Sequence, residues 1–305
     1  MSQQIFIEFD GLRNIIFCKG FFNYQNFLTN RSISILTMSK LDNKNKESAD
    51  QPKGVNEILD EQIATSVYEY KRSNRGLFIS ALSAGLEIGF SIFLMGVLFT
   101  LFHGQVSNEI LHVLISIAYP VGFIFVIIGR SELFTEHTTL AILPVLNKTT
   151  SAKSLFILWG IILSGNLIGG YIFGALLVYF APASGIISIE AFAHLAHKVI
   201  DIPLQMILIS AIMAGWLMGL LSWLVASSQE TISRLFIIVL ITVTIGIGGL
   251  HHSIVGSIEV FSGLLIDPTI GIMDYLSFEA VSILGNVLGG VFFVGIMKYG
   301  QRRKH

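Results

Sequence analysis

Two apolar stretches of this 305-residue chain are too long for a single membrane crossing, and each is interrupted by polar residues near its middle. A crossing needs about 20 mostly apolar residues. The windows that qualify run near 77–102, 108–147, 154–180, 204–227, 234–266 and 277–299, which makes six. The second holds Gly129, Arg130, Ser131, Glu132, Leu133, Phe134, Thr135, Glu136 and His137, and the fifth holds Gly248, Gly249, Leu250, His251, His252 and Ser253. Backbone freed from helical hydrogen bonds at membrane depth persists only where protein or a wet cavity satisfies it. Both stretches are therefore expected to be broken helices lining a cavity.

The chain has two solvents. Of its 19 Lys and Arg and 20 Asp and Glu, 19 charges fall in residues 1–75 and the other 20 are spread over the remaining 230. A net charge of -1 argues against an electrostatic nucleic-acid binder, and 53% hydrophobic residues lie beyond the soluble range. The reading is an all-α polytopic membrane protein with a polar N-terminal extension. One cysteine, Cys18, allows no internal disulfide, and Glu8, Asp10, Arg13 and Lys19 break any signal-peptide core. Residues 1–54 are expected to be a disordered extension, and Met38 is an alternative start. Residues 55–75 are expected to carry an amphipathic cytoplasmic helix, with Val55, Ile58, Leu59, Ile63, Val67 and Tyr68 near helical spacing, resting on the bilayer surface or a neighbouring subunit. The six-span domain is set at 76–299, followed by a basic tail at 300–305.

Orientation follows from the basic flanks. With the N-terminus inside, Lys71, Arg72, Arg75, Lys148, Lys153, Arg234 and Lys298 face the cytoplasm and only Lys198 lies outside. Both termini are then cytoplasmic. The halves also repeat: residues 80–85 (Ser-Ala-Leu-Ser-Ala-Gly) match 210–215, and Gly165, Asn166 and Gly169 match Gly285, Asn286 and Gly289. Three crossings per repeat invert the second half relative to the first, which brings the two breaks to equivalent depths.

Several residues at those depths carry chemistry. His251 and His252, at a helix break inside the membrane, are candidates for proton handling, the competing reading being neutral histidines bonded to a loop. Leu133 and Phe134 followed by Thr135 offer a bulky constriction beside one hydroxyl, as a gate needs. Arg130 is expected to pair with Glu132 or Glu87 as a structural ion pair. Asn166 and Asn286 are expected to bond freed backbone, and the glycines four apart to let helices approach. No HxxxH or HExxH pattern occurs in the spans, so no metal or cofactor is expected there. His194 and His197 fall in what reads as an outer loop, where solvated histidines compete with a metal site.

The Glu132-Leu133-Phe134-Thr135 run, the His252-Ser253 pair and the two Gly-Asn-x-x-Gly runs, in that order, resemble the formate/nitrite transporter family over residues 77–299. The resemblance implies an aquaporin-like six-span fold, assembled as a homopentamer with one pore per subunit. It implies passage of small monovalent anions such as formate or nitrite, with protons as partners and the bilayer as surroundings. Its pore threonine falls on Thr135, its cytoplasmic constriction on Leu133 and Phe134, its central histidine on His252, and its vestibule lysine near Lys198. The sequence departs from the family pattern at His251, Gly215, Arg130 and the Glu136-His137 pair. The expected function is transport of a weak-acid anion with histidine-linked protonation. The alternatives are a neutral-solute or water channel and, from another class, a membrane metalloenzyme resting on His251, His252 and Glu259.

Overall fold

The computed structural model describes residues 53–302. The expectations for residues 1–52, with Cys18 and Met38, and for the tail beyond Arg302 lie outside the described residues. Every regular element among the described residues is helical: α1 Val55–Tyr70, α2 Asn74–Phe102, α3 Asn108–Ala118, α4 Pro120–Gly129, α5 Phe134–Leu140, α6 Ile142–Leu146 and α7 Ala152–Ala183. The second half continues with α8 Ile189–Ile200, α9 Leu204–Ser227, α10 Thr231–Ile247, α11 Ser253–Leu264 and α12 Ile272–Leu288. A π-helical stretch, Gly289–Ile296, joins α12 to α13 Met297–Gly300.

Five helices, Asn74–Phe102, Asn108–Gly129, Ala152–Ala183, Leu204–Ser227 and Ile272–Gly300, are long and apolar enough to cross a membrane. The fifth span fails that length test because its break divides it into the 17 residues of α10 and the 12 of α11. Ser73, Ser107, Ser151 and Ser188 start α2, α3, α7 and α8 with side chains that accept first-turn amides.

The inverted repeat is visible in the packing. A Cβ placed on Gly85 of α2 would lie 2.1 Å from the Asn166 carbonyl of α7, and one on Gly215 of α9 would lie 2.2 Å from the Asn286 carbonyl of α12. The two helix pairs thus meet backbone to backbone through the same glycines, an approach any side chain would block. The breaks correspond as well. α4 ends at Arg130 in the left-handed conformation (φ 60°), α10 ends beside Gly249 (φ 57°), and four residues after each of these α5 and α11 begin. Holding a non-glycine residue there costs about 1–2 kcal/mol.

Two helices depart from expectation. The segment read as an outer loop is the helix α8, which buries Ala191, Phe192, Leu195 and Ala196 against the body. Ser188 as cap, Glu190 in the first turn and Lys198 in the last were the signals that mark it. α1, expected on the bilayer surface or a neighbour, packs on the six-span body instead. Its Ile58, Leu59 and Ile63 bury against Leu143, Trp223 and Val294, while Tyr68 stays 69% exposed. Hydrogen bonds to the body's carbonyls, one of them left free by a proline, accompany this packing. Pro144 in α6 has no N–H to offer the Leu140 carbonyl, and Ser66 Oγ of α1 donates to it at 2.9 Å. Tyr70 Oη donates to the Ala141 carbonyl at 2.7 Å and Gln62 Nε2 to that of Ser222 at 3.1 Å.

Candidate functional site

Each break is held by one asparagine. Asn166 Oδ1 accepts the Phe134 N–H that opens α5, and its Nδ2 donates to the carbonyls of Glu132 and Ala81, all at 2.8 Å. Asn286 Oδ1 accepts the Ser253 N–H that opens α11 at 2.8 Å, and its Nδ2 donates to Ala211 and His251 carbonyls at 2.8 and 2.9 Å. Both asparagines are fully buried, so the amide groups that the broken ladder leaves unpaired are satisfied without water.

Held this way, the two breaks touch. Thr135 in the first turn of α5 and His252 at the cap of α11 meet with 2.7 Å between Oγ1 and Nε2. His252 Nδ1 accepts the Val255 N–H at 3.3 Å. A neutral ring then carries its proton on Nε2 and donates it to Thr135, which leaves the Thr135 hydroxyl proton free for a third group. The Phe123 ring stands edge-on to His252 with centroids 5.1 Å apart, and Leu133, Phe134 and Phe123 are all at most 2% exposed. Phe123, from α4, is thus a third bulky side chain beside the expected constriction residues Leu133 and Phe134, and it contacts His252 directly. Nothing in its apolar window distinguishes Phe123 from its neighbours.

Two pockets lie near this contact. On the α8 side a 50 Å³ pocket is lined by Tyr119, Lys198, His251, His252 and Glu259 among others. His251 has both ring nitrogens engaged: Nε2 donates to the Val199 carbonyl at 3.1 Å and Nδ1 accepts from Ser210 Oγ at 2.8 Å. It ties α8 to the second break, whereas His252 meets Thr135. Lys198 stands exposed at the pocket mouth and donates to His112 Nδ1 at 3.1 Å. His112 in turn donates from Nε2 to the Ile247 carbonyl at the end of α10, at 2.8 Å.

On the α1 side a 440 Å³ vestibule is lined by Glu69, Arg72, Arg130, Glu132, Glu136, His137 and Arg234 among others. The expected partnership of Arg130 with Glu132 or Glu87 is not formed. Arg130 is the exposed left-handed cap of α4 and makes no ion pair among the described residues. Glu132 turns instead to Arg72 and to His137 Nε2 at 2.5 Å, and that same nitrogen lies 3.0 Å from Glu69 of α1. Glu87 accepts from Ser83 within α2 at 2.8 Å. The sequence conceals this network because its partners arrive from α1 and the turn after it, separated from the break by the whole of span one and the first half of span two. Glu69, Glu132 and His137 are also the described residues whose ligand atoms, all within 4.8 Å of one another, suit a shared metal ion; Arg72 already gives Glu132 a cation.

His194 and His197 do not share partners: His194 packs on Phe99 with ring centroids 4.6 Å apart. His197 bonds Asp201 and Asp267 at 3.0 and 3.1 Å, and those carboxylates hold its imidazole above the usual pKa range.

The formate/nitrite transporter family model matches residues 56–300. The chain is 31% identical to the inner membrane protein YfdC of Escherichia coli K12 over 238 residues, 77% of this chain and 74% of that protein. It is 29% identical to YrhG, an uncharacterized transporter of Bacillus subtilis, over 59% of this chain and 68% of that one. Among solved structures, an FNT family ion channel superposes with a TM-score of 0.73 at 20% identity, over 81% of this chain and 100% of that one. A pentameric formate channel with formate bound gives 0.64 at 20% identity, over 74% and 96%. Two inverted halves, two breaks that meet at a threonine and a histidine, and a family match spanning both make this chain a member of the formate/nitrite transporter family, a multi-pass membrane transporter of that class rather than an enzyme.

Proposed function

We propose that this chain carries a small monovalent weak-acid anion, formate or nitrite in kind, along a path through each subunit of a homopentamer. α1 and both termini stand on the cytoplasmic side of the cytoplasmic membrane. The similar formate channel is pentameric and the similar YfdC is an inner membrane protein, which supports the assembly and the location. The basic residues at Arg72, Lys148, Arg234 and Lys298 support the orientation.

The observation that carries the mechanism is the Thr135–His252 contact set among Phe123, Leu133 and Phe134, between a vestibule and a pocket. A bare anion entering that ring of apolar side chains loses its hydration with no counter-charge to replace it, which costs several kcal/mol. The neutral acid pays much less. Protonation before the plug, followed by hydrogen bonds from His252 Nε2 and the Thr135 hydroxyl, lets the acid replace their mutual contact and pass.

The test is uptake of formate, nitrite, acetate, lactate and hydrosulfide into proteoliposomes at two pH values, with His252→Ala and Thr135→Ala alongside. Flux of at least one anion that falls, or loses its pH dependence, in both variants while the oligomer is retained is the expected result. Flux indifferent to both substitutions sinks the mechanism. Swelling in glycerol or water without anion movement replaces the reading with a neutral-solute channel.

A further inference from the structure

The pocket on the α8 side holds a carboxyl that the pathway above does not use. Glu259 on α11 is only 6% exposed, lines the same 50 Å³ pocket as His252 and Lys198, and receives no hydrogen bond from any described residue. Burial without a bonded partner is a costly state for a carboxylate in the membrane, and such groups mark ion or proton pathways. The charged and titratable groups that face it are Lys198 from α8, Tyr119 from the α3–α4 junction, and His251 and His252 from the second break, with His112 of α3 behind Lys198. Lys198 is the one fixed cation among them. His252 bonds as a neutral ring, since its Nδ1 accepts the Val255 N–H, and His251 has both ring nitrogens engaged by Ser210 and Val199.

Counting charge limits what the pocket can contain. At about 10–15 Å³ of probe volume per water, it holds a few waters or one anion of three heavy atoms. With the pocket empty, an ionised Glu259 would have the Lys198 ammonium as the one cation lining the same pocket, with no ion pair closed between them. With an anion present, an ionised Glu259 would leave two negative groups against one ammonium in a space with apolar walls. Only one negative group at a time can be matched.

We propose that Glu259 is the proton-binding group of this pocket and that an anion enters only as Glu259 takes up a proton. The proposal rests on the anion-transport reading above and adds the residue that couples it to protons. In the next step the O–H bond of the Glu259 carboxyl breaks and a new O–H bond forms on the anion's oxygen, whose lone pair takes the proton. The neutral acid moves on to His252 and Thr135. Glu259 is left as a carboxylate beside the Lys198 ammonium and regains a proton from water on the α8 side. One proton thus accompanies each anion, and no redox change is involved.

The experiment is the same proteoliposome panel with a trapped pH dye, comparing wild type, Glu259→Gln and Glu259→Asp, each checked for its oligomer by size exclusion. Wild type is expected to co-transport one proton per anion, with uptake rising about tenfold for each unit by which pH falls along the alkaline limb. Glu259→Gln is expected to flatten that slope to less than about twofold and to move charge with the anion. Glu259→Asp keeps the charge count, and is expected to keep the one-to-one ratio while shifting the pH of half-maximal uptake.

If an anion moves in wild type and Glu259→Gln shows the same slope and proton ratio, the role of Glu259 is overturned while the transport reading stands. If wild type moves no anion, both fall. If Glu259→Gln does not assemble, Glu259→Asp decides: an unchanged half-maximal pH overturns the proposal.

Discussion

Replacing Asn286 by leucine keeps four side-chain heavy atoms in a fully buried site and removes every hydrogen bond the asparagine makes. The Ala211 carbonyl lies inside α9 and keeps its helical donor, but the Ser253 N–H at the start of α11 and the His251 carbonyl in the break lose their partners. Two orphaned buried backbone groups cost about 1–3 kcal/mol each by soluble-protein measure. Interhelical hydrogen bonds in membranes average only about 0.6 kcal/mol, so the three together give about 2 kcal/mol. We expect a loss of about 2–4 kcal/mol, and Asn166→Leu, which strips the equivalent bonds from the other break, should match it within about 1 kcal/mol. Both can be read by titrating the protein from mild detergent into SDS while following the fluorescence of Trp159, Trp216 and Trp223. A loss under about 0.5 kcal/mol in both variants would show that something other than these side chains holds the breaks. Markedly unequal losses would refute the equivalence of the two halves.

Glu69→Gln removes the carboxylate that α1 presents to His137 while leaving the Ile58, Leu59 and Ile63 contacts intact, so hydrogen exchange at the last-turn amides of α1 should speed up about tenfold, equivalent to about 1.4 kcal/mol. Unchanged exchange would show that apolar packing alone seats the helix. His197 has its pKa raised chiefly by its hydrogen bonds to Asp201, assisted by Asp267. The stability it adds is therefore fully present below its unfolded value near 6.5 and disappears as pH rises through the folded value. The difference in thermal midpoint between wild type and His197→Gln should shrink from pH 5 to pH 9, and a difference that grows over that range contradicts the assignment.

The match between halves shows why much of this protein is legible in its sequence. The glycines at 85, 165, 215 and 285 and the asparagines at 166 and 286 serve backbone contacts, and backbone contacts demand one residue type at one spacing. Patterns with such strict requirements survive as repeats in the sequence. Ionic partnerships make no comparable demand. Arg130 looked like the natural mate of Glu132 two residues away, yet Glu132 points to Arg72 and His137, with Glu69 on the far side of the imidazole. A long charged side chain can meet any opposite charge that packing brings near it.

By itself, then, the amino-acid sequence determined the membrane class, the six spans, the inverted repeat and the position of both breaks. Hydropathy, small-residue spacing and polar interruptions are local properties of the chain. Only the tertiary structure decided that Thr135 and His252 touch, that Phe123 stands edge-on to His252, and that His251 is tied to Val199 while His252 faces Thr135. It also decided that α1 closes over the first break and that Glu259 shares a pocket with Lys198. These are contacts between segments far apart in the chain, and their geometry is set by how helices pack around two interrupted backbones.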